Sequence, residues 1–294
     1  MMTKSIHKFS LLVALLAVTS GIGFYLTGRH ESKVDESSKL ALSNEKGRSV
    51  ETTDVKRLES DALVKREGRI ETNRLKLKEP QSPSLDEVKT YLIENGIIKE
   101  SMSLEQLSDL KQINLTSIDD RGLLYISTLS NLTKLKINGA TLTNLDVLKN
   151  LSNLTIFEME GAQVEDYSAL KEMVLLEELE LERSNFEDLE LLNQLQSLRK
   201  LDIDQTGVTD LRALTHLNNL SELAMDGLAI EDFSDLQYLT NLKELDIEYM
   251  TIDNIDFITE LKNLKKLDLK GSTVSFKDIE ALKKLMPHLK IRRK

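Results

Sequence analysis

Leucine recurs in this chain with a fixed 22-residue period, as from Leu107 to Leu129, and that period limits the possible folds more than any other feature. Copies start at Leu107, Leu129, Leu151, Met173, Leu195, Leu217, Leu239 and Leu261. Positions 1, 4, 7 and 9 of each copy are apolar, as in Leu195, Leu198, Leu201 and Ile203, and all 32 such sites in the eight copies obey the rule. Further apolar sites fall near positions 14, 17 and 20, as in Val208, Leu211 and Leu214. In a short strand alternate residues point to opposite faces, so positions 7 and 9 enter a core while 6, 8 and 10 face outward. One such strand cannot bury its apolar side alone. Stacking successive copies as a parallel sheet can, provided that the ends are capped. The expected fold is an α/β repeat solenoid, a curved stack with a parallel sheet on its concave side.

The copy LQSLRKLDIDQTGVTDLRALTH, residues 195–216, resembles the short 22-residue unit of bacterial internalin-like leucine-rich repeat proteins. That unit reads L-x-x-L-x-x-L-x-L-x-x-N-x-I-x-D-I-x-x-L, and the resemblance runs from about Leu107 to Ile291. It implies protein binding as the general activity. One departure concerns position 12, where the family carries a laddering Asn and this chain has Ile118, Ala140, Ala162, Ser184, Thr206, Leu228, Met250 and Ser272. Ser and Thr can still bond backbone groups, whereas the apolar residues cannot, so a softer spine is expected.

Both ends of the stack show capping signals. Ser84 with Glu87 forms a capping box that opens a helix to about Asn95 and Gly96, with Val88, Leu92, Ile97 and Ile98 available for burial. Residues 84–106 are read as an N-terminal helical cap and 107–294 as the solenoid with its C-terminal cap. Phe276, Ile279, Leu282 and Leu285 suit a closing helix that Met286-Pro287 ends, and Leu289 with Ile291 repeat Leu267 and Leu269 at a spacing of 22, a final strand.

Residues 1–30 contain an uncharged run from Phe9 to Leu26, preceded by Lys4, His7 and Lys8. It reads as an uncleaved N-terminal anchor, the alternative being a cleavable signal peptide. The preceding cations place the repeat domain outside the cytoplasm, membrane-anchored through residues 9–26 or secreted if the segment is cleaved. Residues 31–83 carry 11 acidic and 12 basic groups with few large apolar residues, the composition of a charged flexible tether.

The net charge of −10 is the wrong sign for holding nucleic acid, and with no cysteine there is no disulfide, thiol nucleophile or zinc knuckle. The excess of negative charge lies in the repeats, where residues 84–294 carry 24 cations and 38 anions, a net −14. Position 8 reads Asn114, Lys136, Glu158, Glu180, Asp202, Ala224, Asp246 and Asp268; position 10 reads Thr116, Asn138, Glu160, Glu182, Asp204, Asp226, Glu248 and Lys270. From the third to the seventh copy nine of these ten positions are acidic. Neighbouring strands lie about 4.8 Å apart, so these carboxylates stack into two ladders, an arrangement that like charges disfavour. Glu158, Glu160, Glu180, Glu182, Asp202, Asp204, Asp226, Asp246 and Glu248 are therefore the candidate partner-binding residues, and a protein with a basic surface or segment is the expected partner. The alternatives are plain solubilisation of an exposed face, a host-directed adhesin or virulence factor of internalin type, and a cation-binding or enzyme-accessory surface protein.

No catalytic constellation is legible: His7, His30, His216 and His288 are scattered, and glycines 139, 161, 207, 227 and 271 are turn punctuation repeating with the copies. No cofactor or metal is called for, and a monomeric solenoid is expected. The Asn-x-Ser/Thr triplets at Asn131, Asn150, Asn153 and Asn219 follow from the repeat consensus, and the terminal Lys290, Arg292, Arg293 and Lys294 read as a solvated end.

Overall fold

The computed structural model describes residues 82–293. The N-terminal apolar run and the tether up to Gln81 lie outside the described residues, as does Lys294. No helix among the described residues is long and apolar enough to cross a membrane.

Helix α1 (Leu85–Glu94) opens at Ser84, whose hydroxyl accepts the Glu87 N–H at 3.3 Å while the Glu87 carboxylate accepts the Ser84 N–H at 2.7 Å. This is the expected capping box. A second one, Ser103 with Gln106, starts the short α2 (Leu104–Ser108), so the first copy enters its strand from a helical turn. Strand β1 (Gln112–Thr116) follows, then α3 (Asp120–Ile126). From there each copy supplies one strand of the main sheet: β2 (Lys134–Asn138), β4 (Ile156–Glu158), β6 (Glu178–Glu180), β7 (Lys200–Asp202), β8 (Glu222–Ala224), β9 (Glu244–Asp246) and β10 (Lys266–Asp268). Helix α4 (Phe276–Leu285) and β11 (Lys290–Arg292) close the stack. The nine strands lie parallel and in chain order, and the extra strands β3 (Thr141–Asn144) and β5 (Gln163–Asp166) pair separately.

Pairing keeps the spacing of the repeat from β1 to β10, as Leu179↔Leu201↔Leu223↔Leu245 shows. The last step is different. Leu267 pairs with Ile291, a spacing of 24, so the expected 22-residue match of Leu289 to Leu267 is corrected. The short 3₁₀ turn of the other copies is replaced here by the ten-residue α4, which needs two more residues to return to the sheet. The shift is even, so the inside-outside alternation survives.

Of the 32 apolar sites only Leu110 is more than marginally exposed, and the buried residues form one continuous core that Val88 and Leu92 of α1 join. In α4, Ile279 and Leu282 are buried, whereas Phe276 and Leu285 face solvent.

Beyond the sheet, three positions of the repeat hold each coil, and the sequence showed only traces of them. At position 3 the amides of Asn131, Asn153, Asn219, Asn241 and Asn263 each donate to the carbonyl of the preceding coil, at 2.7–3.0 Å. An asparagine ladder is present at position 3 rather than 12, interrupted by Leu175 and Ser197. It also gives three of the Asn-x-Ser/Thr triplets a structural job. At position 16, Asn144, Asp166, Asp188, Asp210, Asp232 and Asn254 each accept the N–H two residues on, starting the 3₁₀ turn. At position 12, Ala140 and Ala162 are fully buried by packing, while Thr206 and Ser272 donate to the carbonyls of Ile203 and Ile247.

Position 11 is left-handed in all eight copies: Gly139, Gly161, Gly227 and Gly271 have φ of 63–70°, and Ser117, Arg183, Gln205 and Tyr249 have φ of 53–57°. Gly207, at position 13, does not share this conformation. A side chain in the left-handed region costs about 1–2 kcal/mol. A Cβ at Gly161 would meet nothing within 4 Å, so backbone strain alone decides its replacement. Gly161→Ala should destabilise the solenoid by about 1 kcal/mol and Gln205→Gly should stabilise it by a similar amount, read as opposite shifts of the urea midpoint.

Candidate protein-binding face

The nine candidate carboxylates all project from the concave side, since positions 8 and 10 alternate with buried positions 7 and 9. They are less exposed than an outward-facing strand residue would suggest. Glu158 and Glu248 are buried, and Glu160, Glu180, Glu182, Asp202, Asp204, Asp226 and Asp246 are half-buried.

The ladders are not uniformly free. Glu158 is clasped by Lys134 and by Lys136, the latter at 2.8 Å. Burial raises the Glu158 carboxyl, but the two ammonium groups outweigh it and hold the group below its ordinary value. Arg183 bridges Glu160 and Glu182, Lys200 pairs with Glu180, and Arg292 pairs with both Glu248 and Asp268. Arg292 is exposed, as expected of the terminal cations, but it also makes ion pairs: the 24-residue closing step sets it beside Asp268, within reach of Glu248 one strand further. Arg293 is likewise committed, donating to the Val274 carbonyl at 2.6 Å.

Reading positions 8 and 10 alone therefore missed Arg183, Lys200 and Arg292. Position 6, which carries Lys134, Lys200 and Lys266, and the left-handed position 11, which carries Arg183, would have shown two of these cations beside the ladders. Arg292 depends on the change of spacing that precedes it.

On this face the acids of positions 8 and 10 without an ion pair among the described residues are Asp202, Asp204, Asp226 and Asp246, and at position 6 Glu178 and Glu222. Three of these have a backbone role, the first being Asp202, which accepts the Asp204 N–H at 3.1 Å. The strands end at position 8, and beyond them Asp204 accepts the Asp226 N–H and Asp226 accepts the Glu248 N–H, both at 2.6 Å. Register sets Asp202 and Asp246 on either side of Ala224, the one position-8 residue of this stretch with no charge. Glu222 and Asp226 lie two residues before and after it on the same face. Ala224 thus has an acidic residue on each of four sides, and its small side chain leaves room between them.

Burial and mutual repulsion raise the central acids. Burial, then Asp202 and Asp226, push Asp204 up to about 7; burial, then Asp268 and Asp226, push Asp246 up to about 6. Asp202, Asp226 and Glu182 also rise, with burial the main cause in each. Glu182, Asp202 and Asp204 bring carboxylate oxygens within 4.8 Å of one another, an arrangement that favours a cation. His216 and His288 are exposed, and His7 and His30 lie outside the described residues.

No family model and no curated protein matches the sequence. Among solved structures, an internalin C2 from Listeria monocytogenes superimposes with a TM-score of 0.57 at 26% identity, over 65% of this chain and 83% of its own. An internalin (inlF) from the same organism gives 0.56 at 20% identity, over 71% and 67%. The chain has a leucine-rich repeat fold similar to that of internalins. Repeat solenoids of this kind recognise partners through the exposed residues interleaved with their core.

The raised central carboxyls fix the sign of the pH dependence. A group whose folded pKa lies above its unfolded value of about 3.9 stabilises the fold below that value and loses the contribution as pH rises through the folded pKa. The urea midpoint should therefore fall between pH 5 and pH 8. Asp204→Asn, which keeps the acceptor for the Asp226 N–H, should flatten that fall and raise stability at pH 8 by on the order of 1 kcal/mol, allowing for solvent screening.

Proposed function

We propose that the protein is a non-enzymatic binding module that captures a basic segment of another protein on its concave face, with the notch over Ala224 as the seat for one lysine or arginine side chain. The observation that carries this reading is the division of the acidic ladders. Where the chain supplies Lys134, Lys136, Arg183, Lys200 and Arg292 the carboxylates are neutralised, and around Ala224 they are not. A cation entering there meets Asp202, Glu222, Asp226 and Asp246 at once, and it relieves repulsion that the fold otherwise carries. Nucleic acid does not fit such a face.

The reading includes export. Residues 9–26 act as an N-terminal anchor or signal, the tether spaces the solenoid from the membrane, and the solenoid works as a monomer outside the cytoplasm. The internalin likeness supports a surface or exported role, with host adhesion one form of it. Protease added to intact cells should cleave the repeat domain, and its full protection would overturn export.

A divalent cation is the second reading, favoured by the convergence of Glu182, Asp202 and Asp204. Three carboxylates on a strand face fall short of the roughly six to eight oxygens that calcium takes. Calorimetric titration with Ca²⁺ separates the two readings.

For the main one, a decalysine peptide should bind in low salt. Combining Asp202→Asn, Asp226→Asn and Asp246→Asn should weaken it about tenfold or more, whereas Glu158→Gln, at an already neutralised position, should leave affinity within about twofold. Equal losses in both variants would show that the notch is not the seat.

A further inference from the structure

At the N-terminal end a second surface has a chemistry unlike that of the acidic face. A cleft of about 760 Å³ runs between the end of α1, at Asn95–Ile97, and the consecutive residues Asn114–Ile118 of β1 and the turn after it. In the β1–β2 pair the Ser117 N–H donates to the Asn138 carbonyl and the Lys111 carbonyl accepts from Lys134, so odd-numbered residues face β2. The backbone groups of Asn114 and Thr116 consequently point the other way, toward the cleft. No strand pairs with that side of β1 among the described residues. Tyr91, Ile97, Leu115 and Ile118 line the inner wall. Tyr91 stacks on Tyr125 with ring centroids 4.8 Å apart, and Arg121 sits over the Tyr125 ring at 5.6 Å. Gly122 allows this packing, since a Cβ there would meet the Tyr91 hydroxyl at 2.5 Å.

The charges around the cleft are unevenly spoken for. Lys136 is held by Glu158, and Asp119 caps α3 through the Gly122 N–H. Arg121, in α3, and Glu94, at the end of α1, have no oppositely charged group within ion-pair distance among the described residues.

We infer that this cleft takes an extended peptide segment of a partner, which adds as a strand to the open edge of β1 and brings an acidic side chain to Arg121. The edge offers an N–H and a C=O at Asn114 and again at Thr116, about 6.6 Å apart, the repeat of alternate residues in a strand. The partly exposed Tyr91 and Ile97 then take one aliphatic side chain of the added strand, and the guanidinium of Arg121 sets the sign of the end residue. The acidic face beyond Glu158 repels such a segment, so the two surfaces select opposite chemistries.

The test uses the full chain and the probe peptide acetyl-Glu-Val-Thr-Val-Thr-amide. Hydrogen exchange at the Asn114 and Thr116 amides should be fast in the free protein and slow by about tenfold or more when the peptide is added. Thr116→Pro deletes one edge donor without touching the β1–β2 bonds and should abolish that protection, and Arg121→Glu should weaken peptide binding about tenfold. Decalysine binding at the concave face should be unchanged in both variants, which shows that they fold. Slow exchange before any peptide is added, meaning that other residues of the chain already cover the edge, would overturn the inference. So would peptide binding that Thr116→Pro leaves intact.

Discussion

A three-residue strand has no stability of its own, and each one here is held because its neighbour repeats it one coil later. The parallel step of about 4.8 Å brings every side chain alongside the residue at the same position of the next coil. For positions 7 and 9 this is favourable without limit, since leucine on leucine buries more apolar surface with each added copy. Leu179, Leu201, Leu223 and Leu245 are all within 2% of complete burial for that reason. For positions 8 and 10 the same rule is costly when the repeated residue is charged.

The molecule answers that cost differently along its length. Near the first strands Lys134 and Lys136 neutralise Glu158, and at the far end Arg292 closes over Asp268 and Glu248. In the middle Lys200 and Arg183 reach Glu180, Glu182 and Glu160 but not the aspartates beyond. Asp204 and Asp226 are kept by a structural use, taking the backbone N–H groups that the short strands leave unpaired. Their charge is still unopposed. A fold that tolerates an uncompensated half-buried cluster carries a stability penalty, which the proposed cationic side chain over Ala224 would relieve.

Much of the scaffold was legible because it follows from periodicity: the sheet, its order, the core and the α1 capping box need only local sequence and the 22-residue repeat. The position-3 ladder was present as Asn131, Asn153 and Asn219, but its meaning depends on a carbonyl of the coil before. The position-16 aspartates stood in the repeat pattern without their bond to the N–H two residues on. The left-handed turn could be read from Gly139 and Gly161 but not from Gln205 or Tyr249, which adopt it only because the stack imposes one coil shape on every copy.

By itself the sequence determined which residues share a column, hence the leucine core and the concentration of acid on one face, because a constant period makes position in the coil a matter of arithmetic. Only the tertiary structure decided which of those acids are free. Ion pairing depends on how far Lys200, Arg183 and Arg292 reach across neighbouring coils, and Arg292 arrives beside Asp268 because the closing step, from Leu267 to Ile291, is longer than the repeat. Charge is a property of the column; its neutralisation is a property of distance.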